Sequence, residues 1–175
     1  MKKNLIILGI LFLIFSSVRA QVSNISDPLN DLDVAQMDKF IGKWEWKSKN
    51  TSFTLIIKKT KQGIIPLLQG GYQYVENGSV IINLLDHLDE AKKSVFWGYA
   101  KKGNDTLKFS FSDPTREELR HGTLNFIKGD SNKIIFKLKN EKNRHSLKLL
   151  FASKQRQVFK GKFPDDLNLV MTRVE

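Results

Sequence analysis

Apolar side chains recur with period two through most of the chain. Trp44 and Trp46 alternate with charged neighbours, and Phe53, Leu55 and Ile57 alternate with Thr54, Ile56 and Lys58. The cleanest stretch sets Leu107, Phe109 and Phe111 against Lys108, Ser110 and Ser112. Ile134, Phe136 and Leu138 against Ile135, Lys137 and Lys139 follow closely. Residues 63–74, 80–85, 95–100 and 123–127 extend the series, as do Leu147, Leu149 and Phe151, and then Leu167, Leu169 and Met171. Side chains on a strand point alternately to opposite faces, so this spacing predicts strands with one buried face.

Turn residues fall between these runs: Asn50-Thr51, Asn77-Gly78, Lys102-Gly103-Asn104-Asp105, Lys128-Gly129-Asp130 and 140–143. Asn-Gly is the strongest of them, because both residues accept the positive φ of a tight hairpin. Gly70-Gly71 predicts a bulge or bend. Two segments break the period. Val34, Met37 and Ile41 recur at helical spacing, predicting a short helix over 32–40 capped by Asp31. Thr115 with Glu118 fits a capping box and Gly122 a helix end, predicting a helical turn over 115–122. Residues 86–93 read as a charged loop or turn of helix.

About nine one-sided strands without long helices between them argue for antiparallel pairing and against a parallel βαβ sheet. Open edges would invite aggregation. The expected fold is therefore all-β: an antiparallel up-and-down β-barrel of about nine strands with a short N-terminal helix. A β-sandwich is the alternative.

The N-terminus has a different pattern. Lys2 and Lys3 precede an uncharged apolar run over 5–15, and Val18-Arg19-Ala20 closes it with small residues at the positions a signal peptidase inspects. That layout predicts a secretory signal over 1–20, cleaved after Ala20. The run is shorter than the roughly 20 residues of a membrane-spanning helix. Residues 21–30 read as a flexible lead-in and 31–175 as one β-barrel domain, in the periplasm or outside the cell, with no transmembrane segment in the mature chain. The chain has no cysteine. That excludes disulfides, thiolate metal sites and cysteine nucleophiles, and Gln21 after the cleavage site excludes a lipoprotein.

The formal charge is +11, and it is unevenly spread. Residues 128–162 hold eleven basic side chains against Asp130 and Glu141. A field of that size draws anions. The expected basic surface comprises Lys137, Lys139, Lys142, Arg144 and Lys148, and its expected partners are an anionic envelope lipid or polysaccharide, or another protein. Nucleic acid is disfavoured, because Phe136, Phe151 and Phe159 in this stretch fit inward positions instead of exposed stacking platforms.

Catalytic chemistry finds no constellation. His87, His121 and His145 are far apart in sequence. Asp86, His87, Asp89 and Glu90 lack the spacing of a calcium loop. Glu117 and Glu118 are explained by the predicted capped turn. The expectation is a non-enzymatic protein with no metal and no cofactor. Trp46, Tyr72, Tyr74, Trp97, Tyr99, Phe109 and Phe111 are expected to point inward, where they would line a site for a small apolar or amphipathic ligand. The alternative is a filled domain acting through its basic surface.

Phe40-Ile41-Gly42-Lys43-Trp44 joins the predicted helix to the first strand. It resembles the Gly-x-Trp motif of the calycins, the lipocalins and fatty-acid-binding proteins. That resemblance implies that Trp44 plugs one barrel end, with Gly42 allowing the close turn and Arg173 packing over the indole. The lipocalin Thr-Asp-Tyr motif is absent. Gly71-Tyr72-Gln73-Tyr74 and Phe109-Ser110-Phe111-Ser112-Asp113-Pro114 more closely resemble a family of small secreted bacterial proteins catalogued as a domain of unknown function. That likeness implies no activity.

Overall fold

A computed structural model of the chain describes residues 31–62, 65–85, 95–115, 118–139, 145–146 and 161–174. The expected signal 1–20, the lead-in 21–30, the charged segment 86–93 and the strand expected at 147–151 lie outside the described residues.

Among the described residues one helix precedes ten strands: α1 (Val34–Asp38), β1 (Gly42–Ser48), β2 (Thr51–Gln62), β3 (Ile65–Glu76), β4 (Ser79–Asn83), β5 (Phe96–Ala100), β6 (Thr106–Asp113), β7 (Glu118–Ile127), β8 (Asp130–Leu138), β9 (His145–Ser146) and β10 (Leu167–Arg173). The pairing order is β2-β1-β10-β8-β7-β6-β5-β3, and β2 also pairs with β3. That last pairing closes the sheet into an eight-stranded antiparallel barrel. β4 lies outside the ring beside β3, and the two-residue β9 beside β7. Apart from β10, which completes the ring between β8 and β1, sequence neighbours are barrel neighbours, as expected of an up-and-down barrel.

Turns follow the local chemistry. Asn77 and Gly78 have φ of 50° and 74°, the positive pair that a two-residue hairpin between right-twisted strands demands. At the first hairpin the turn is Lys49-Asn50, one residue earlier than expected, with Ser48 opposite Thr51. α1 is shorter than 32–40 and is capped by Asp33, not Asp31; the Asp33 carboxylate accepts from the Gln36 amide at 2.8 Å. Leu32 is already bridged to Lys101, and the Asp33 amide donates to the Ala100 carbonyl, so the chain before α1 is tied to β5 instead of turning into helix.

Gly70-Gly71 is not a bulge. The β2–β3 ladder runs through it, and the register shift falls at Tyr74/Val75 instead. The glycines serve close approach: a Cβ on Gly71 would collide with the Leu84 carbonyl oxygen and lie 3.2 Å from the Leu85 Cα. Here β3 exchanges one neighbour for another, pairing with β5 over Leu68–Gly70 and with β4 over Gln73–Glu76.

The helical turn expected at 115–122 is replaced by a strand. Asp113 pairs with Glu118 across a tight connection, and the Asp113 carboxylate takes both the Thr115 amide (3.0 Å) and the Thr115 hydroxyl (2.6 Å). Thr115 is thereby committed to a turn and cannot cap a helix. Gly122 is a strand residue whose missing side chain makes room for the Phe109 ring.

The core is continuous and aromatic. Trp44, Phe53, Tyr72, Phe96, Phe111, Phe136 and Phe163 are fully buried. Phe53 lies 5.0 Å from Phe136 and 5.7 Å from Phe163, and Tyr72 lies 4.2 Å from Phe111, centroid to centroid. Such tilted pairs add to the free energy of area burial.

Candidate functional site

Each end of the barrel is closed by an aromatic ring under an arginine. At one end α1 lies across the mouth, held by the Lys59–Asp38 ion pair at 2.8 Å and by the Gln36 side-chain amide on the Asp105 carbonyl. Gly42, at φ 137°, turns the chain from α1 into β1. Trp44 then enters the interior, its indole N–H donating to the Phe40 carbonyl at 2.9 Å. The Arg173 guanidinium lies 4.5 Å over the indole and donates to the Lys39 carbonyl. Phe40 and Phe126 pack on each other at 4.6 Å, and Phe126 lies 6.1 Å from the indole, centroid to centroid. The fold thus brings Gly42, Trp44 and Arg173 together at this end.

At the other end the seal is the segment 161–166. Phe163 inserts among Phe53, Tyr72, Tyr74 and Phe111, with centroids 5.2 to 5.7 Å away. Its amide donates to the Thr115 hydroxyl at 3.0 Å, and Gly161 packs on Ile81 of β4. Arg120 projects inward from β7, donates to the Pro164 carbonyl at 2.6 Å, lies 5.9 Å over the Phe163 ring and stands 3.6 Å from the Asp113 carboxylate. Asp113 and Arg120 are both buried. A buried carboxylate and guanidinium tolerate desolvation only in each other's company and with hydrogen bonds from the chain. Here those bonds tie the seal to the strands.

Burial also perturbs the tyrosines. The fully buried Tyr72 hydroxyl donates to the Ser112 carbonyl at 3.0 Å, and desolvation, helped by the Asp113 charge, holds its pKa well above the usual tyrosine range. Tyr74 is shifted the same way, first by desolvation and then by Glu76.

Of the seven aromatics expected inside, Tyr72, Tyr74, Phe109 and Phe111 are buried there, and Trp46 sits half-buried against the core. Trp97 and Tyr99 are not inside. β5 turns Phe96, Gly98 and Ala100 inward, leaving Trp97 half-buried and Tyr99 36% exposed on the outer wall. The small residues fit the interior because it is already crowded: Leu107 side-chain atoms stand 3.0 Å from where a Gly98 Cβ would be. The buried aromatics pack against one another in the interior.

The outer wall over β5 to β8 forms the second candidate. Tyr99 is opposite Lys108, Lys108 opposite Thr123 and Thr123 opposite Lys137. The next row runs from Trp97 to Ser110 and His121, and the Lys139 amide donates to the His121 carbonyl. The Ser110 hydroxyl and His121 Nδ1 are 3.2 Å apart. Lys108, Lys137 and Lys139 are exposed. Tyr99, Lys108, Ser110, His121, Thr123 and Lys139 border a shallow depression of about 410 Å³. Lys142, Arg144 and Lys148 of the expected basic surface lie outside the described residues. Among the described residues, no three His, Asp or Glu side chains gather as a metal site, and no helix is long and apolar enough to cross a membrane.

Sequence reasoning missed Phe163, Arg120 and Lys108. Phe163 belongs to no periodic run. Arg120 occupies an inward position where the pattern demands an apolar residue. Lys108 joins Lys137 only through the barrel register.

These features define a closed, eight-stranded antiparallel up-and-down β-barrel with an extra strand beside it. Within that class the chain belongs to a family of unknown function, DUF6705, which matches residues 1–173. No curated protein and no solved structure matches it. The calycin likeness rests on the geometry of Gly42, Trp44 and Arg173 alone.

Proposed function

We propose that the chain is an exported, non-enzymatic barrel that acts through its basic outer wall on an anionic partner and carries no ligand inside. One observation carries this reading. Phe163, from the chain itself, occupies the place between Phe53, Tyr72, Tyr74 and Phe111 that a small apolar ligand would take, and it is fully buried. Export rests on the pattern of residues 1–20. The anionic partner rests on the outward lysines: no carboxylate among the described residues pairs with Lys108, Lys137 or Lys139. Unpaired surface cations attract anions with a dependence on salt.

The test has two arms. Titration with a fluorescent fatty acid, with mass spectrometry of a solvent extract, is expected to give a flat curve and an empty extract. Binding to acidic polymers or anionic vesicles is expected to be saturable and to weaken as salt rises. Stoichiometric uptake of the fatty acid, or no anion binding at low salt, refutes the proposal.

A further inference from the structure

Within the reading of an anionic partner, on which this inference rests, we infer that the depression over β5 to β8 is a binding site for an acidic polysaccharide, of the kind whose sugars carry carboxylates. Three features of the wall select this chemistry.

The first is the spacing of the cations. Lys108 and Lys137 share one cross-strand row with Thr123 between them. Two strand spacings put them roughly 10 Å apart, and Lys139, two residues along the same face, lies roughly 7 Å from Lys137. A single small anion is held by donors that converge on it. Cations spread at these intervals suit a polymer that repeats its charge.

The second is the polar border. Ser110, Thr123 and His121 stand between the lysines. Hydroxyls and imidazole both donate and accept hydrogen bonds. A phosphate or sulfate polymer has only acceptors to offer at neutral pH. A sugar offers hydroxyls that donate and accept, along with its carboxylate, and so can engage every group on the border.

The third is Tyr99. It is 36% exposed, whereas Phe109, which also lines the depression, is buried at 3%. A ring at the edge of a basic groove gives the C–H face of a sugar an apolar platform, with the phenol hydroxyl free to bond at its edge. One such ring is few for a single-stranded nucleic acid, which stacks successive bases on several. A concave site with one exposed aromatic is also a poor fit to a lipid surface, which takes protruding apolar side chains.

The full-length mature chain is to be titrated with a polyuronate, a neutral glucan, polyphosphate and vesicles of anionic phospholipid, in low and high salt. The polyuronate is expected to bind saturably and more tightly than polyphosphate or vesicles, and the neutral glucan not to bind. The variant K108S/K137S/K139S is expected to lose about tenfold or more in affinity, from three exposed charge contacts. Tyr99→Ala is expected to lose several-fold while Tyr99→Phe keeps most of the binding. The variant K61S/K102S/K128S removes equal charge from exposed positions near the end of β2 and in the turns after β5 and β7, at the α1 end, and is expected to stay within about twofold of the parent. All substituted side chains are exposed, and unchanged thermal unfolding shows that each variant is folded. Equal loss in the two triple variants, or no effect of Tyr99→Ala, overturns the site. Binding to vesicles or polyphosphate at least as tight as to polyuronate overturns the sugar while leaving the anionic partner standing. No binding to any anion overturns both.

Discussion

The guanidinium of Arg173, the last residue of β10, lies 4.5 Å over the indole of Trp44, the residue directly opposite it across β1 and β10. The same guanidinium donates to the Lys39 carbonyl at the end of α1. One side chain thus joins the last strand, the first strand and the helix, and closes the ring where the two ends of the fold meet. Cation–π attraction at a partly exposed site contributes about 1 kcal/mol, and a hydrogen bond to a charged donor a similar amount or more. Arg173→Met is therefore expected to destabilise by about 2 kcal/mol. Arg173→Lys keeps the charge but loses the planar face and is expected to fall between. Trp44→Ala removes a fully buried ring and is expected to cost about 3–5 kcal/mol. Urea unfolding midpoints check the order; an Arg173→Met variant as stable as the parent refutes the role given to the pair.

Gly122 is expected to tolerate no side chain. A Cβ there would collide with the Lys137 carbonyl oxygen and with the Phe109 ring, whose Cε2 is 2.8 Å from it. Overpacking of this kind costs about 1–3 kcal/mol. Gly122→Ala should unfold at lower urea by that amount, and shortening the ring with Phe109→Leu should lessen the extra cost, because residues in contact are not additive. The backbone collision remains in the double variant, so the rescue should be partial. Full additivity of the two changes would show that the ring does not limit the site.

The strands readable from sequence are those whose inward positions are all apolar. β2 and β6 turn Phe53, Leu55 and Ile57, and Leu107, Phe109 and Phe111, to the core, and period two announces each. β7 gives two inward positions to Arg120 and Gly122, so its sequence reads as a capped helical turn. β5 has large aromatics on both faces, and its parity was decided by room and not by hydrophobicity: the crowded interior admits Gly98 and Ala100 and leaves Trp97 and Tyr99 outside. The seal at the second mouth was invisible because Phe163 is alone in its segment. Basic density pointed to 128–162, yet the outer-wall site needs Lys108, which only the register of β6 against β7 brings beside Lys137.

Phe163→Ala is expected to destabilise by about 3–5 kcal/mol and to leave a space lined by Phe53, Tyr72, Tyr74 and Phe111. An apolar cavity of that origin stays dry and takes small apolar molecules. Benzene is expected to raise the unfolding temperature of Phe163→Ala and to leave the parent unchanged. A parent stabilised by benzene to the same degree would mean that its interior is open without displacement of Phe163, against the filled barrel proposed above.

Tyr72 sets the alkaline limit of the fold. Its hydroxyl is fully buried, and desolvation followed by the Asp113 charge holds its pKa well above the usual range. The folded chain therefore keeps this proton more tightly than the unfolded chain. Below about pH 10, the ordinary tyrosine pKa, both states hold the proton and the group adds no pH dependence. Above it the unfolded state releases the proton while the native state retains it, so stability falls, by at most about 1.4 kcal/mol per pH unit from this one group. Tyr72→Phe is expected to flatten that alkaline slope. At neutral pH it should cost only about 1 kcal/mol, from the lost bond to the Ser112 carbonyl. The phenolate absorbance offers a direct reading: of the three tyrosines, one should ionise only as the barrel unfolds, and that step should vanish in Tyr72→Phe. Ionisation of all three before any loss of far-ultraviolet circular dichroism would show that solvent reaches Tyr72 in the folded state.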